Sequence, residues 1–343
     1  MIKKFFLFIF LVALLATTWI AYSIFSLNIG NQDKQTLKVT IDSGMSFGQL
    51  TERLSELGFK IPASFKWYAT YKEFDRQLQP GIFEVQVPVT VADLIQILSE
   101  KARIEQKITI LPGWDLRDFA KYLVEKGIAK NEDEVYVLLG QPAEYAIPGI
   151  SPEKLSWISG KPSRVSLEGY LAPDTYSIYT NATTEEVIDK LLEHRKKQLT
   201  PEILEEIKKS GRTMHEIITM ASLLEREVRS PKDKAIVADI FWKRHDVNMG
   251  LQADSAVHYL TGKEGNVFTS NADRALDNPW NTYKYPGLPP GPISLPNLAS
   301  IEAALRPTKN DYWYFLTTLD TGEVKYGSTL AEHNANVQKY LRK

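Results

Sequence analysis

The chain has 343 residues, 43% hydrophobic and 24% charged, with a formal net charge of −1. That length accommodates two domains with sizeable cores, and the near-neutral charge argues against a broad cationic footprint for nucleic acid. The absence of cysteine excludes disulfides, thiolate catalysis and cysteine-ligated zinc or iron–sulfur sites. The five histidines show no metal-ligand spacing, so no metal or other cofactor is expected.

The first element is apolar. Met1 to Lys4 carries two lysines, and the stretch from Phe5 to Leu27 carries no charge. As a helix this stretch spans about 34 Å, enough to cross a bilayer core. Lys3 and Lys4 predict a cytoplasmic N-terminus, with the bulk of the chain outside. A cleaved signal peptide is the competing reading, with Ala13 and Ala16 near a cleavage point. The short cytoplasmic stretch favours a single-pass protein of the inner membrane whose main part is periplasmic.

Residues 28–36 are polar and read as a linker. A repeat follows. Leu37 to Ile41 alternates like a half-buried strand, Asp42-Ser43-Gly44 turns, and Ser46 caps a helix reaching Leu57. Sixty-nine residues on, Lys107 to Ile110, Pro112-Gly113 and Asp115 to Glu125 repeat the pattern. Val39 matches Ile108, Ile41 matches Ile110, Gly44 matches Gly113, Leu50 matches Phe119 and Leu54 matches Leu123. Between the two, Gly81 to Val85 reads as a strand and Thr90 to Lys101 as a capped helix. The first unit, from Leu37 to about Pro88, resembles a LysM-like module, a fold often used on glycan; a spacer without ligand is the alternative. Residues 37–105 are assigned to this module and 106–343 to a catalytic domain.

Glu134 to Ser156 reads as short helices and loops. Thr184 to about Leu199 and Pro201 to about Gly211 read as helices, and Thr213 caps the next one. In that helix, with Ala221 at zero, Ile217, Leu224 and Val228 fall at about −40°, −60° and −20°. Glu225 falls at about +40°, inside the apolar stripe, and Glu227 at about −120°, away from it. Leu223 lies near the opposite face, so the helix is buried on more than one side. A carboxyl on an apolar face is either a paired structural group or an acid held protonated by desolvation.

At this helix the sequence resembles a known family. Ala221-Ser222-Leu223-Leu224-Glu225-Arg226-Glu227 is similar to a conserved-type segment of the MltG-type (YceG-like) endolytic murein transglycosylases. Four more segments agree in the same order: Glu168 to Tyr176, Leu251 to Val257, Asn281 to Tyr283 with Gly287 to Ile293, and Thr329 to Asn334. Ala253, Ser255 and Trp280 depart from the usual residues. The resemblance implies an α+β protein with an N-terminal transmembrane helix, a LysM-like βα module and a mixed α/β catalytic domain with a central glutamate-bearing helix. It implies lytic cleavage of the β-1,4 bond between MurNAc and GlcNAc within glycan strands, leaving 1,6-anhydro-MurNAc ends and terminating nascent strands. Glu225 is the expected general acid/base, since the glycosidic oxygen needs a proton as it leaves. One carboxyl group suffices if the MurNAc C6 hydroxyl is the internal nucleophile. Glu168, Tyr170, Gln252, Asp254, Asn281 and Tyr283 are the expected substrate-binding residues. The partners implied are peptidoglycan strands, the membrane and cell-wall synthases. Two other readings stay open: a hydrolytic muramidase, with Asp254 or Glu168 positioning water, and a non-enzymatic glycan-binding scaffold.

Overall fold

The structure is a computed structural model that describes residues 2–30, 35–42, 44–76, 78–100, 105–262 and 269–341, with only the backbone of residues 2–4. Met1 of the expected cytoplasmic stretch, the middle of the expected linker, Ser43 of the predicted turn and Lys101 lie outside these residues.

The chain divides into two units: residues 1–106 with Ser177–Asn181, and Lys107–Tyr176 with Ala182–Lys343. In the first, helix α1 (Ile2–Phe25) holds the apolar run. Its segment Phe5–Phe25 is long and apolar enough to cross a membrane. Strand β1 (Gln35–Ile41) leads to α2 (Phe47–Glu56) and α3 (Ala63–Tyr71), then to β2 (Gly81–Val87) and α4 (Val91–Ser99). β1 and β2 pair antiparallel, with Val39 opposite Phe83 and Leu37 opposite Val85. The alternation of β1 turns Val39 and Ile41 inward, where they meet Leu50 and Leu54 of α2. Each such side chain contributes roughly 1.5–3 kcal/mol when fully buried.

Ser46 starts α2 with a reciprocal capping box involving Gln49, and Thr90 caps α4 through the Asp93 N–H. Residues 28–30 differ from the expected linker. Asn28 bridges to Thr90, and Ile29 is 1% exposed in the core. An apolar side chain in an otherwise polar stretch is the physical reason.

β3 (Glu105–Thr109) and β4 (Thr175–Tyr179) form a second two-stranded sheet, through which the chain passes from one unit to the other. The second unit is mainly helical. It contains α5 (Leu116–Glu125), α6 (Glu132–Leu139), α7 (Thr184–Gln198), α8 (Pro201–Lys209), α9 (Met214–Glu227), α10 (Pro231–Asp246), α11 (Asp254–Thr261), α12 (Asn271–Arg274) and α13 (Leu298–Leu305). The hairpin of β5 (Tyr314–Thr317) and β6 (Val324–Gly327) and helix α14 (Leu330–Tyr340) follow.

Central helix α9 packs against α13, α10, α11 and α8. Its residues from Ile217 to Leu224 are all buried, on every face. The helix therefore has no single apolar stripe. Ile217 and Ala221 lie on one side, Met220 and Leu223 on another, and both sides are dry. Small polar side chains, Thr219 and Ser222, are buried within it, and the charged side chains Glu225, Arg226 and Glu227 fill its last turn.

Candidate active site

The two glutamates that end α9 have different surroundings. Glu225 lies on the side that packs on α10 and α13, and its side chain is 8% exposed. One carboxyl oxygen accepts from Lys234 Nζ of α10 at 3.0 Å. The other accepts from the Asn297 N–H at 2.9 Å and from Ser300 Oγ at 2.6 Å. Asn297 caps α13 and Ser300 belongs to its first turn, so Glu225 sits at the positive end of that helix. Lys234 is 3% exposed. Three donors, from α10 and from the start of α13, converge on the carboxyl group of Glu225.

Glu227 points away from that junction. Among the described residues only Ser255, in the first turn of α11, donates to its carboxyl group, through a backbone N–H at 3.2 Å from Oε1. Burial is the largest cause that pushes the Glu227 carboxyl above the usual carboxylate range. Hydrogen bonding from Ser255 opposes this, the charge of Asp254 adds to it, and Arg226 opposes it. A carboxyl held up in this way keeps its proton to higher pH than a solvated glutamate, which equips it for proton transfer.

Asp254 gathers the polar groups beside Glu227. It accepts from Thr269 Oγ1 at 2.6 Å, Tyr283 Oη at 2.8 Å and Arg274 Nη2 at 3.4 Å. The Arg274 guanidinium also stands 4.7 Å over the Tyr283 ring. Burial and then the Asp254 charge raise the Tyr283 phenol, and the charge of Glu227 reaches it as well. Gln252 is exposed and held at φ +53°, in the left-handed region that an unbranched non-glycine residue enters only under constraint. The constraint is visible: Gln252 N donates to Thr282 O, and Ala253 N donates to Thr282 Oγ1. Arg244 fixes the same segment by donating to Leu251 O at 2.7 Å.

The structure thus brings Asp254 and Tyr283 beside Glu227, with Gln252 on the segment that leads into Asp254. Asn281 is adjacent but fully buried. Its amide donates to Arg274 O and Leu276 O and accepts from Tyr283 N, so its side chain shapes the loop from within.

Glu168 and Tyr170 lie in the interior, both at 0% exposure. Glu168 accepts from Leu116 N at 3.0 Å and from Tyr259 Oη at 2.5 Å. Burial, then the charge of Asp115, drives its carboxyl well above the usual range. Tyr259 belongs to α11, so Glu168 steadies the helix whose first turn holds Glu227. Tyr170 Oη donates to His215 Nδ1 at 2.9 Å, and His215 Nε2 donates to Pro290 O at 2.8 Å. Burial lowers the His215 pKa, consistent with a neutral ring that accepts on one nitrogen and donates on the other. Between them Gly169 has φ +81°, and a Cβ there would stand 2.7 Å from Pro292 and 2.8 Å from Ile218. Among the described residues no cluster of His, Asp or Glu is arranged to hold a metal ion.

The model of the YceG-like family matches residues 39–339. The chain belongs to the YceG-like family. The endolytic murein transglycosylase of Streptococcus pneumoniae serotype 2 strain D39 is 31% identical over 340 residues, covering 92% of this chain and 60% of that protein. The chain therefore spans about three-fifths of the length of this pneumococcal relative. The endolytic murein transglycosylase of Bacillus subtilis strain 168 is 32% identical over 322 residues, covering 91% of this chain and 87% of that protein. The crystal structure of a YceG-like protein from Listeria monocytogenes superposes with a TM-score of 0.57 at 29% identity, over 88% of this chain and 99% of that one.

Lys234, Asn297 and Ser300 around Glu225, and Thr269 and Arg274 on Asp254, were not expected from the motifs. Ser230-Pro231 with Asp233 is a helix-start signature that places α10, and with it Lys234. The wheel also contained a signal for Glu227. At about −120° it continues the second apolar side, formed by Met220 and Leu223.

Proposed function

We propose that this protein is an endolytic murein transglycosylase, a lyase that cleaves the β-1,4 bond between MurNAc and GlcNAc within glycan strands and leaves 1,6-anhydro-MurNAc ends. We further propose that the acid/base role expected of Glu225 belongs to Glu227. One observation carries that choice: the Glu227 carboxyl, beside Asp254 and Tyr283, meets a single donor among the described residues, Ser255 N–H, whereas Glu225 is committed to Lys234, Asn297 and Ser300.

In this reading Glu227 gives its proton to the glycosidic oxygen as the bond to MurNAc C1 breaks. The C6 hydroxyl oxygen then bonds to C1, and its proton passes to Glu227, which is restored. No water is consumed. The attack is intramolecular, so proximity supplies much of the rate. Gln252, Asp254 and Tyr283 are proposed to contact the sugars. Glu168, Tyr170 and Asn281 are proposed to position these elements from inside, in place of the direct contacts expected of them.

Helix α1 is proposed to anchor the enzyme in the inner membrane, N-terminus inside and the rest outside. The order β1, α2, α3, β2 with antiparallel pairing supports reading the first unit as LysM-like. Cell-wall synthases are the proposed protein partners, and termination of nascent strands the proposed outcome.

A second carboxylate, Asp254, near enough to influence Glu227, keeps the hydrolytic muramidase reading in view. Mass spectrometry of digested peptidoglycan separates the two. Anhydro ends are expected; reducing ends that have gained water would defeat the lyase.

A further inference from the structure

Helix α1 does not end in a free tether. Ser23 and Ile24, near its C-terminus, are 1% and 7% exposed because they pack into the first unit. The Phe25 ring meets the Tyr68 ring of α3 edge to face, with centroids 5.6 Å apart. Just beyond, Ile29 N donates to Val89 O and Ile29 O accepts from Lys60 N. The globular part of this unit therefore begins where the apolar span stops, and α3 lies at the level of the last turn of α1.

At that level α3 is two-faced. Phe65 and Ala69 are fully buried in the core. On the other side Trp67 and Tyr71, one turn apart, are each 78% exposed. No fold requirement accounts for two large aromatic rings held in water. Exposed Lys66 and Lys72 flank them. Lys72 Nζ lies 5.7 Å from the Tyr68 ring centre and 5.9 Å from that of Tyr71. Amphipathic rings mixed with lysines match the layer between lipid tails and water, where the rings bury their bodies and the ammonium groups meet anionic headgroups.

We propose that the Trp67–Tyr71 face of α3 is seated in the headgroup layer of the membrane that α1 crosses, docking the first unit on the bilayer surface. The inference rests on reading α1 as a membrane anchor, and its continuity with that span is what selects lipid as the occupant.

The chain has no cysteine, so a single introduced cysteine carries a spin label without further changes. The full-length protein in nanodiscs of phosphatidylethanolamine and phosphatidylglycerol would be labelled separately at Leu11→Cys in the span, at Trp67→Cys and Tyr71→Cys in α3, and at Lys209→Cys. Relaxation by oxygen and by a water-soluble nickel chelate reports lipid and water access. The Trp67 and Tyr71 labels are expected to show oxygen-to-nickel ratios closer to that of Leu11 than to that of Lys209. Two α3 positions guard against loss of docking through removal of one ring. If Leu11 is lipid-embedded while both α3 labels behave like Lys209, the docking proposal is overturned and the anchor stands. If Leu11 itself is open to nickel, the anchor reading falls and the docking proposal with it.

Discussion

The backbone N–H of Ser255 reaches Glu227 Oε1 at 3.2 Å, joining the end of α9 to the first turn of α11. The same turn carries Asp254, whose charge adds to the burial that raises the Glu227 carboxyl. The proposed acid and the carboxylate beside it are therefore both tied to one helix start.

That link makes a pH prediction. If Glu227 acts in its protonated form, kcat/KM falls as pH rises through its raised pKa. Asp254→Asn keeps an oxygen to accept from Tyr283 and Thr269 but removes the negative charge. The alkaline limb of the profile should move to lower pH. A limb that stays in place, in a variant that still turns over, would show that Asp254 does not tune the acid.

Glu168 gives a stability prediction of definite sign. Its carboxyl is raised in the folded protein, so folding favours the protonated form. The resulting stability is fully present below the unfolded-state value for glutamate and is lost as pH rises through the folded one. Glu168→Gln removes this titration while keeping polar partners for Leu116 and Tyr259. Thermal melts at pH 5 and pH 8.5 should show the wild type losing more stability than the variant. Parallel losses would contradict the assignment.

Lys234 tests the junction around Glu225. Lys234→Met strands a buried carboxylate and should destabilise the fold by roughly 3–5 kcal/mol. Adding Glu225→Gln removes the stranded charge and should recover a large part of that loss. Denaturant unfolding measures both, and a double variant as unstable as the single one would argue against a coupled pair.

Gly169→Ala should lower stability by more than the roughly 1–2 kcal/mol of left-handed strain, since its Cβ also meets Pro292 and Ile218. The loss should appear in the melting temperature before any change in substrate affinity. An unchanged melting temperature would mean that the Pro292 loop yields freely.

Much of this fold is written in local signals. Ser46, Thr90, Thr183 and Thr213 each cap the helix that follows, because a hydroxyl satisfies an N–H that the first turn leaves open. Helix α3 was not legible in this way. It opens after Pro62 with no side-chain cap, and its aromatic residues lie on both faces. The site was legible in part. The motifs singled out Asp254 and Tyr283, which lie beside Glu227, and exposed Gln252 just before them, but also Glu168, Tyr170 and Asn281, which are buried. A motif records that a residue matters without saying whether it faces solvent or core. Periodicity puts Glu225 and Glu227 on two different apolar sides, and in a helix buried on all sides it does not by itself choose the working one. The Glu225 side is the junction with α10 and α13, where Lys234, Asn297 and Ser300 donate to its carboxyl group.

The most direct test compares the two glutamates on purified peptidoglycan at low temperature, with rates normalised to the folded fraction from near-ultraviolet circular dichroism. Glu227→Gln is predicted to lose roughly 10²–10⁴-fold in the release of anhydro ends while remaining folded. Glu225→Gln combined with Lys234→Met is predicted to retain most of the activity per folded molecule. Full activity in Glu227→Gln, with loss confined to the Glu225 variant, would contradict the assignment and return the acid/base role to Glu225.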